Sequence, residues 1–419
     1  MKILLLNQCF YPDVVSTAQH LTDLAVGLVE HGHDVTVVAS DRGYDNPNKR
    51  FPKRQVWKGI TIIRIPALAL GKKSKWRRAL NFASFLIACT LKLFFLPKFD
   101  LVVTLTSPPL ISFLGSMLVK LRGGKMLFWV MDLNPDEAIA AGWLRKDSST
   151  ARMLGGLLRY SLVHSEKIVV LDRFMQRRIL DKRIFDQKLE IIAPWSHSDA
   201  VRYDAPARDS FRSEHDLSNK FVVMYSGNHS PCHPLDTLVD AARHLADHSN
   251  IVFCFVGGGS EQTKVQRLAE QYGLKNVLCL PYQPLDKLAG SLSAADLQVV
   301  VMGDPFIGIV HPCKVYNILE VEAPLLYIGP SDSHIADLIS EMGATRNVCS
   351  ARHGEAEKIT AYILERAQSG YGNRATYELT STFSKEALLP HMIEIIESIS
   401  PQVRASDPAL AANQIVPQR

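Results

Sequence analysis

The chain has no C-x-x-C pair, no charge-free apolar run long enough to span a bilayer, and no nucleic-acid-binding motif. Its seven cysteines, at 9, 89, 232, 254, 279, 313 and 349, are odd in number and scattered. That pattern argues against a disulfide framework or a zinc site and for a reduced, cytosolic compartment. The opening MKILLLNQCFYPD carries one lysine and too short an apolar run for a secretory leader; a first strand explains it better. The most apolar segment, 72–98, keeps only 13 residues, Ala79 to Leu91, free of charge. It is therefore too short to cross a membrane. Basic residues Lys72, Lys73, Lys75, Arg77 and Arg78 with Trp76 precede it, so it reads either as a helix lying on an anionic surface or as a core helix with a solvated start.

What is present suits two globular domains in 419 residues. Charge is divided unevenly. Residues 1–195 carry 29 Lys+Arg against 16 Asp+Glu, and residues 196–419 carry 18 against 26. A basic first half fits an anionic membrane surface or a phosphate-bearing substrate rather than nucleic acid. Apolar runs at 2–7, 34–40, 60–65, 101–106, 126–130 and 167–171 alternate with helical patterns, and the alternation resumes at 221–227, 251–259, 276–282, 297–302 and 325–329. Continuous apolar strands between helices predict two doubly wound parallel sheets, with a ligand cleft between their strand ends. The polar stretch 193–220 reads as the linker between them, 385–399 as a last helix, and 401–419 as a disordered tail.

The loops after these strands hold the chemistry. In GDPFIGIVHPCKVYNILEVEAPLLYIGP (303–330), Lys314 and Asn317 share one helical face beyond a strand end, which suits an anionic, hydroxyl-bearing ligand. VGGGS (256–260), with Gly257, Gly258 and Gly259, opens a helix where backbone amides can meet a diphosphate; a plain turn is the alternative. YSGNHSPCHP (225–234) is a second such loop after Gly227, with Asn228, His229 and His233 at its tip; His229 and His233 read as phosphate donors or as helix caps. Neither histidine has the company of a metal site. In the first half, YPDVVSTAQ (11–19), LTSPPL (105–110) and WVMDLNPDEA (129–138) follow strands. Asp132 stands where a general base sits, although such a residue also serves as a cap.

In order and spacing, YPDVVSTAQHLTDLAVGLVEHGHDVTVVAS, WVMDLNPDEAIAAGWL, APWSHSD, FVGGGSEQTKVQRLAEQYGLKNVLCLPYQP, LAGSLSAADLQVVV and HPCKVYNIL resemble glycosyltransferase family 4, in its bacterial polysaccharide and O-antigen branch. The resemblance spans roughly 1–400. It implies the GT-B fold, with an acceptor-side Rossmann-like domain at 1–195, a donor domain at 196–383, and a helix at 384–400 packing back on the first domain. It implies retaining, metal-independent transfer of a hexosyl or N-acetylhexosaminyl group, without a cofactor, from a nucleoside diphosphate sugar of the UDP type to a polyprenyl-diphosphate-linked acceptor. The protein would sit in the cytoplasm, peripheral on the inner face of the membrane. Lys314, Gly227, Asn228, His229, His233 and Gly257–Gly259 would meet the diphosphate, Asn317 the ribose, and Tyr282 and Gln283 the base. Asp132, Ser16, Thr17 and Ser107 would face the acceptor. The chain departs from the family at several places. Asn228 and His233 stand where an Arg and a Lys hold the diphosphate, and Ser16 and Thr17 replace a glycine pair. Of the E-x7-E pair, the second glutamate falls on Asn317 and the first on Ile309, with Asp304 as the acid to replace it through a longer loop. Those departures motivate a second reading, a catalytically weak or inactive nucleotide-sugar-binding subunit; a third, a GT-B sugar-nucleotide epimerase, is one the order of the motifs argues against.

Overall fold

The computed structural model describes residues 1–43, 48–68, 75–196, 201–343, 345–369 and 374–399. The readings made of Lys72, Lys73 and the 401–419 tail lie outside them.

Among the described residues, two sheets form. The first contains β1 (Lys2–Leu6), β2 (Asp34–Ser40), β3 (Arg54–Trp57), β4 (Ile60–Ile65), β5 (Leu101–Thr104), β6 (Lys125–Trp129), β7 (Lys167–Val170) and β8 (Leu189–Ile191). Their order is β3-β4-β2-β1-β5-β6-β7-β8, parallel except for the β3–β4 pair. The second contains β9 (Phe221–Asn228), β10 (Ile251–Gly258), β11 (Val277–Leu280), β12 (Leu297–Val301), β13 (Leu325–Ile328) and β14 (Val348–Ala351), all parallel in the order β11-β10-β9-β12-β13-β14. These are two Rossmann-like α/β domains. β5, β12 and β13 are buried at every residue, because helices cover both faces of each sheet.

The strand order reverses between β1 and β5 in one sheet and between β9 and β12 in the other. A crevice opens at such points, and the loops after these strands bound it. They are four of the loops that the sequence singled out.

Three short strands escape sequence reading. β3 is exposed at alternate residues, and β8 and β14 are edge strands of three and four residues. The stretch read as the linker contains the helix Ala205–Glu214, capped by the Asp204 side chain on the Ala207 N–H. Its inward face is Phe211 plus a buried arginine, Arg212, so it gives no apolar period to read.

The last helix, Lys385–Ser398, lies on Ser16–Glu30. Gly27 allows that approach: a Cβ there would fall 2.9 Å from Ile393 Cδ1. The helix Lys75–Phe94 turns Phe85, Cys89 and Leu93 inward. Ile87, Leu91, Phe94 and the following Phe95 stay 63–79% exposed. No described helix is long and apolar enough to cross a membrane.

Candidate active site

The donor-side loops meet at unusually short range, and glycine makes this possible. β9 and β10 pair through Gly227↔Gly257 and Asn228↔Gly258. A Cβ on Gly257 would lie 2.0 Å from the Gly227 carbonyl oxygen, and one on Gly259 would lie 2.2 Å from that of His229. Both residues also have positive φ, 137° and 141°. No other residue type fits either place. The His229 N–H then donates to Gly258 O at 3.0 Å, and the Glu261 N–H to His229 O at 3.0 Å, which lock the two loops together.

Lys314 starts the helix Lys314–Glu320 and reaches into this crossing. Its Nζ lies 3.4 Å from the centroid of the buried Tyr225 ring and would be 3.3 Å from a Cβ on Gly227. The Nζ is shielded from water and has no hydrogen-bond acceptor. Burial pulls its pKa well below the ordinary lysine value. Tyr225 is fixed in turn by its hydroxyl, which donates to Asn228 O at 2.9 Å.

His229 and His233 flank the lysine as neutral rings. The Nδ1–H of His229 donates to Gly227 O at 2.9 Å, and that of His233 to Val301 O at 2.7 Å. Burial first, and the Lys314 charge second, bring both down to about 3. Nε2 of His229 is buried without a partner. As neutral rings bonded through Nδ1, neither offers a second N–H, so donation to a phosphate oxygen requires proton uptake. Asn228 is exposed. Tyr282 donates its hydroxyl to Gly258 O at 3.2 Å and stays half-exposed beside Gln283, whose amide donates to Pro281 O. Asn317 is half-buried one turn beyond Lys314.

The first domain closes over this crossing. The Leu133 N–H donates to Ile309 O at 2.8 Å, and the Cys232 thiol faces Glu137 Oε1 at 3.9 Å. Ser16 hydrogen-bonds Cys313, whose thiol lies near both Asp132 and Lys314. Asp132 is half-buried, and its N–H donates to Thr106 Oγ1 at 3.3 Å. Burial first, and the neighbouring Glu137 charge second, raise its pKa to about 7. It can therefore hold or release a proton near neutrality. Ser107 is tied to the loop after β1 by its N–H, which donates to Asn7 Oδ1, and by its carbonyl, which accepts from Gln8 N. Thr17 is half-buried beside Ser16.

Asp304 stands apart from this group. It is exposed on the short turn Asp304–Phe306 and lines a different interdomain cavity, of about 530 Å³, with Arg177, Arg178 and Arg352. Sequence reading missed Tyr225, Glu137, Cys232 and Cys313. All four lie inside stretches it had quoted; what it lacked was the partner across the cleft.

Two parallel-sheet domains facing each other across such a cleft define the GT-B class. The first domain matches the family model "Glycosyl transferase 4-like domain" over residues 17–195, and the second matches "Glycosyl transferases group 1" over 207–310. The chain belongs to the group 1 glycosyltransferases with a 4-like first domain. It is 25% identical over 334 residues to the putative colanic acid biosynthesis glycosyl transferase WcaI of Escherichia coli K12, covering 77% of this chain and 81% of that one. In fold it resembles sucrose-phosphate synthase from Thermosynechococcus elongatus, with a TM-score of 0.70, 15% identity, and 95% and 99% of the two chains covered. It likewise resembles Anabaena Alr3699/HepE, solved with UDP and glucose, with a TM-score of 0.68, 13% identity, and 95% and 100% covered.

Proposed function

We propose that this glycosyltransferase moves a hexosyl or N-acetylhexosaminyl group, with retention, from a nucleoside diphosphate sugar to a polyprenyl-diphosphate-linked saccharide in cell-surface polysaccharide synthesis. The observation that carries this reading is the Lys314 Nζ, buried with no hydrogen-bond acceptor. Burial without an anion disfavours its charged form, and a bound anion would restore that charge. A diphosphate fits, because it would also meet the amides of the glycine crossing. The relative from Escherichia coli is named for colanic acid biosynthesis, and HepE is described with UDP. Both point to a polysaccharide product and a UDP-type donor.

In this reading the bond from the sugar's anomeric carbon to the diphosphate breaks while the acceptor oxygen bonds to the same face. The acceptor proton passes to the departing phosphate oxygen. Lys314 stabilises the charge that develops on the diphosphate, which a pre-placed cation in a dry cleft does well. Asn317 holds the ribose, and Tyr282 and Gln283 border the base. Asp132, with Ser16, Thr17 and Ser107, orients the acceptor. No metal or cofactor takes part in the transfer. Because the domains already touch around Lys314, the donor enters by domain opening. A thermal-shift panel of nucleotide sugars and free nucleotides tests the donor site, since a ligand of the folded state raises apparent stability. A shift with uridine nucleotides is expected; no shift with any nucleotide overturns the reading.

One observation favours the alternative, a nucleotide-sugar-binding subunit without turnover. Asn228 and the neutral His233 stand where the family has two cations. Nucleotide binding without transfer to any lipid-linked acceptor would establish it.

The acceptor side is proposed to dock on the inner face of the cytoplasmic membrane through Lys75–Phe94. Its exposed Ile87, Leu91, Phe94 and Phe95 lie beside exposed Lys92 and Lys98. Apolar residues beside lysines suit an anionic interface. Flotation with anionic liposomes at low salt is expected, and retention in the lipid-free fraction sinks this part.

A further inference from the structure

Behind Lys314, three residues from separate loops converge in the interior. Asp172 precedes the first-domain helix Arg173–Leu180. His311 lies in the loop before Lys314, and His334 begins the helix His334–Glu341. All three are buried. Asp172 Oδ2 is 2.8 Å from His311 Nδ1 and 3.6 Å from His334 Nδ1. The two rings stack with centroids 3.9 Å apart. One ligand atom from each residue falls within a sphere that a single ion could fill.

We propose that Asp172, His311 and His334 bind one zinc-like divalent transition ion, which ties the two domains together behind the site. Two observations carry this. His334 is only 4% exposed, yet neither ring nitrogen has a hydrogen-bond partner. A buried imidazole is rarely left so. The other two residues are held by outer contacts of the kind that orient metal ligands. Asp172 Oδ1 accepts from the N–H groups of Phe174 and Met175 at 2.9 and 2.8 Å, which leaves Oδ2 for the ion. His311 Nε2 lies 2.8 Å from the Tyr316 hydroxyl, which leaves Nδ1 for the ion.

The surroundings select the kind of ion. Arg173 is occupied by Asp337 at 2.6 Å and does not answer Asp172. The first turns of two helices bring partial positive charge, against one carboxylate. Hard ions such as Mg²⁺ and Ca²⁺ want several oxygens and are poorly served. Two imidazoles and a carboxylate suit zinc, with a water in the fourth place. With the ion on Nδ1, the single proton of neutral His311 resides on Nε2 and is donated to Tyr316. The ion takes no part in the sugar transfer; it fixes the loop that presents Lys314.

The test uses the full-length protein, stripped with a chelator, dialysed, and titrated with Co²⁺ and then Zn²⁺. Expected is one equivalent of Co²⁺ with visible d–d absorption, no thiolate charge-transfer band, and displacement by Zn²⁺. Zinc also raises the thermal midpoint. His334→Ala and Asp172→Asn lose this binding. Tyr316→Phe weakens it about 10- to 100-fold, as outer contacts to metal ligands do. No Co²⁺ spectrum overturns the proposal, as does a thiolate band or equal binding by both variants. The cluster is then a hydrogen-bonded interdomain contact. Should the variants fail to fold, the wild-type spectrum still decides.

Discussion

Two buried cations of the second domain behave in opposite ways. Arg212 is 2% exposed and fully answered. It donates to Asp296 Oδ2 at 3.0 Å, to Ala294 O at 2.8 Å, and to Lys220 O. Asp296 also accepts from the Val222 N–H at 2.9 Å, so the pair joins the helix Ala205–Glu214 to the start of β9. Lys314 has only the face of Tyr225. A charge that serves the fold finds its counter-charge inside the fold. A charge that serves a ligand is left unanswered until the ligand arrives.

Removing each cation tests that contrast. Arg212→Ala leaves Asp296 buried and alone, and losing one partner of a buried pair costs about 3–5 kcal/mol. Denaturant unfolding should show this loss, with the activity per folded molecule retained. Lys314→Ala should do the reverse. Losing a pre-placed donor to developing charge lowers kcat by ~10²–10³-fold, or roughly 2.7–4 kcal/mol. Stability should be unchanged or slightly raised, because a buried polar group without a partner has been removed. If the lysine variant unfolds and turns over normally when folded, the contrast is wrong.

The histidines beside Lys314 extend the comparison to pH. Each has a folded-state value of about 3 against an ordinary 6.5. The unfolded chain therefore takes up protons first as pH falls. Their contribution to stability is complete above about 6.5 and is lost between there and about 3, at up to ~1.4 kcal/mol per pH unit for each ring. A bound diphosphate works against this by favouring the protonated rings. Nucleotide affinity should then rise as pH falls within the range where the protein stays folded, and calorimetry in buffers of different ionisation heat should register proton uptake. Affinity that is flat or rising with pH would remove both rings from the donor site.

The parts of this molecule legible in sequence were those encoded locally. Buried parallel strands such as LQVVV write their burial as unbroken apolar runs, and glycine loops mark themselves where chains approach closely. Edge strands such as RQVW do not, since half their residues face water. The helix carrying Arg212 was hidden because one of its two buried residues is charged. At the site, Lys314, Asp132 and the histidines could be named from their loops, whereas the roles of Tyr225, Glu137, Cys232 and Cys313 depend on what stands opposite. The Asp172–His311 contact spans 139 residues of sequence, a distance at which no local spacing carries information.

The smallest effect separates what Tyr225 does for Lys314 from what it does for the fold. A ring face holds a desolvated cation by about 0.5–2 kcal/mol, up to roughly 30-fold in an equilibrium. The hydroxyl bond to Asn228 O is an ordinary one, worth about 1 kcal/mol of stability. Tyr225→Phe keeps the ring and should lose only that stability, with kcat near the wild-type value. Tyr225→Leu removes the ring as well, and should lower kcat by about 10-fold while denaturant unfolding registers a further loss from packing. Equal kcat in the two variants would mean that the ring does not hold the lysine, and that the glycine crossing alone sets its position.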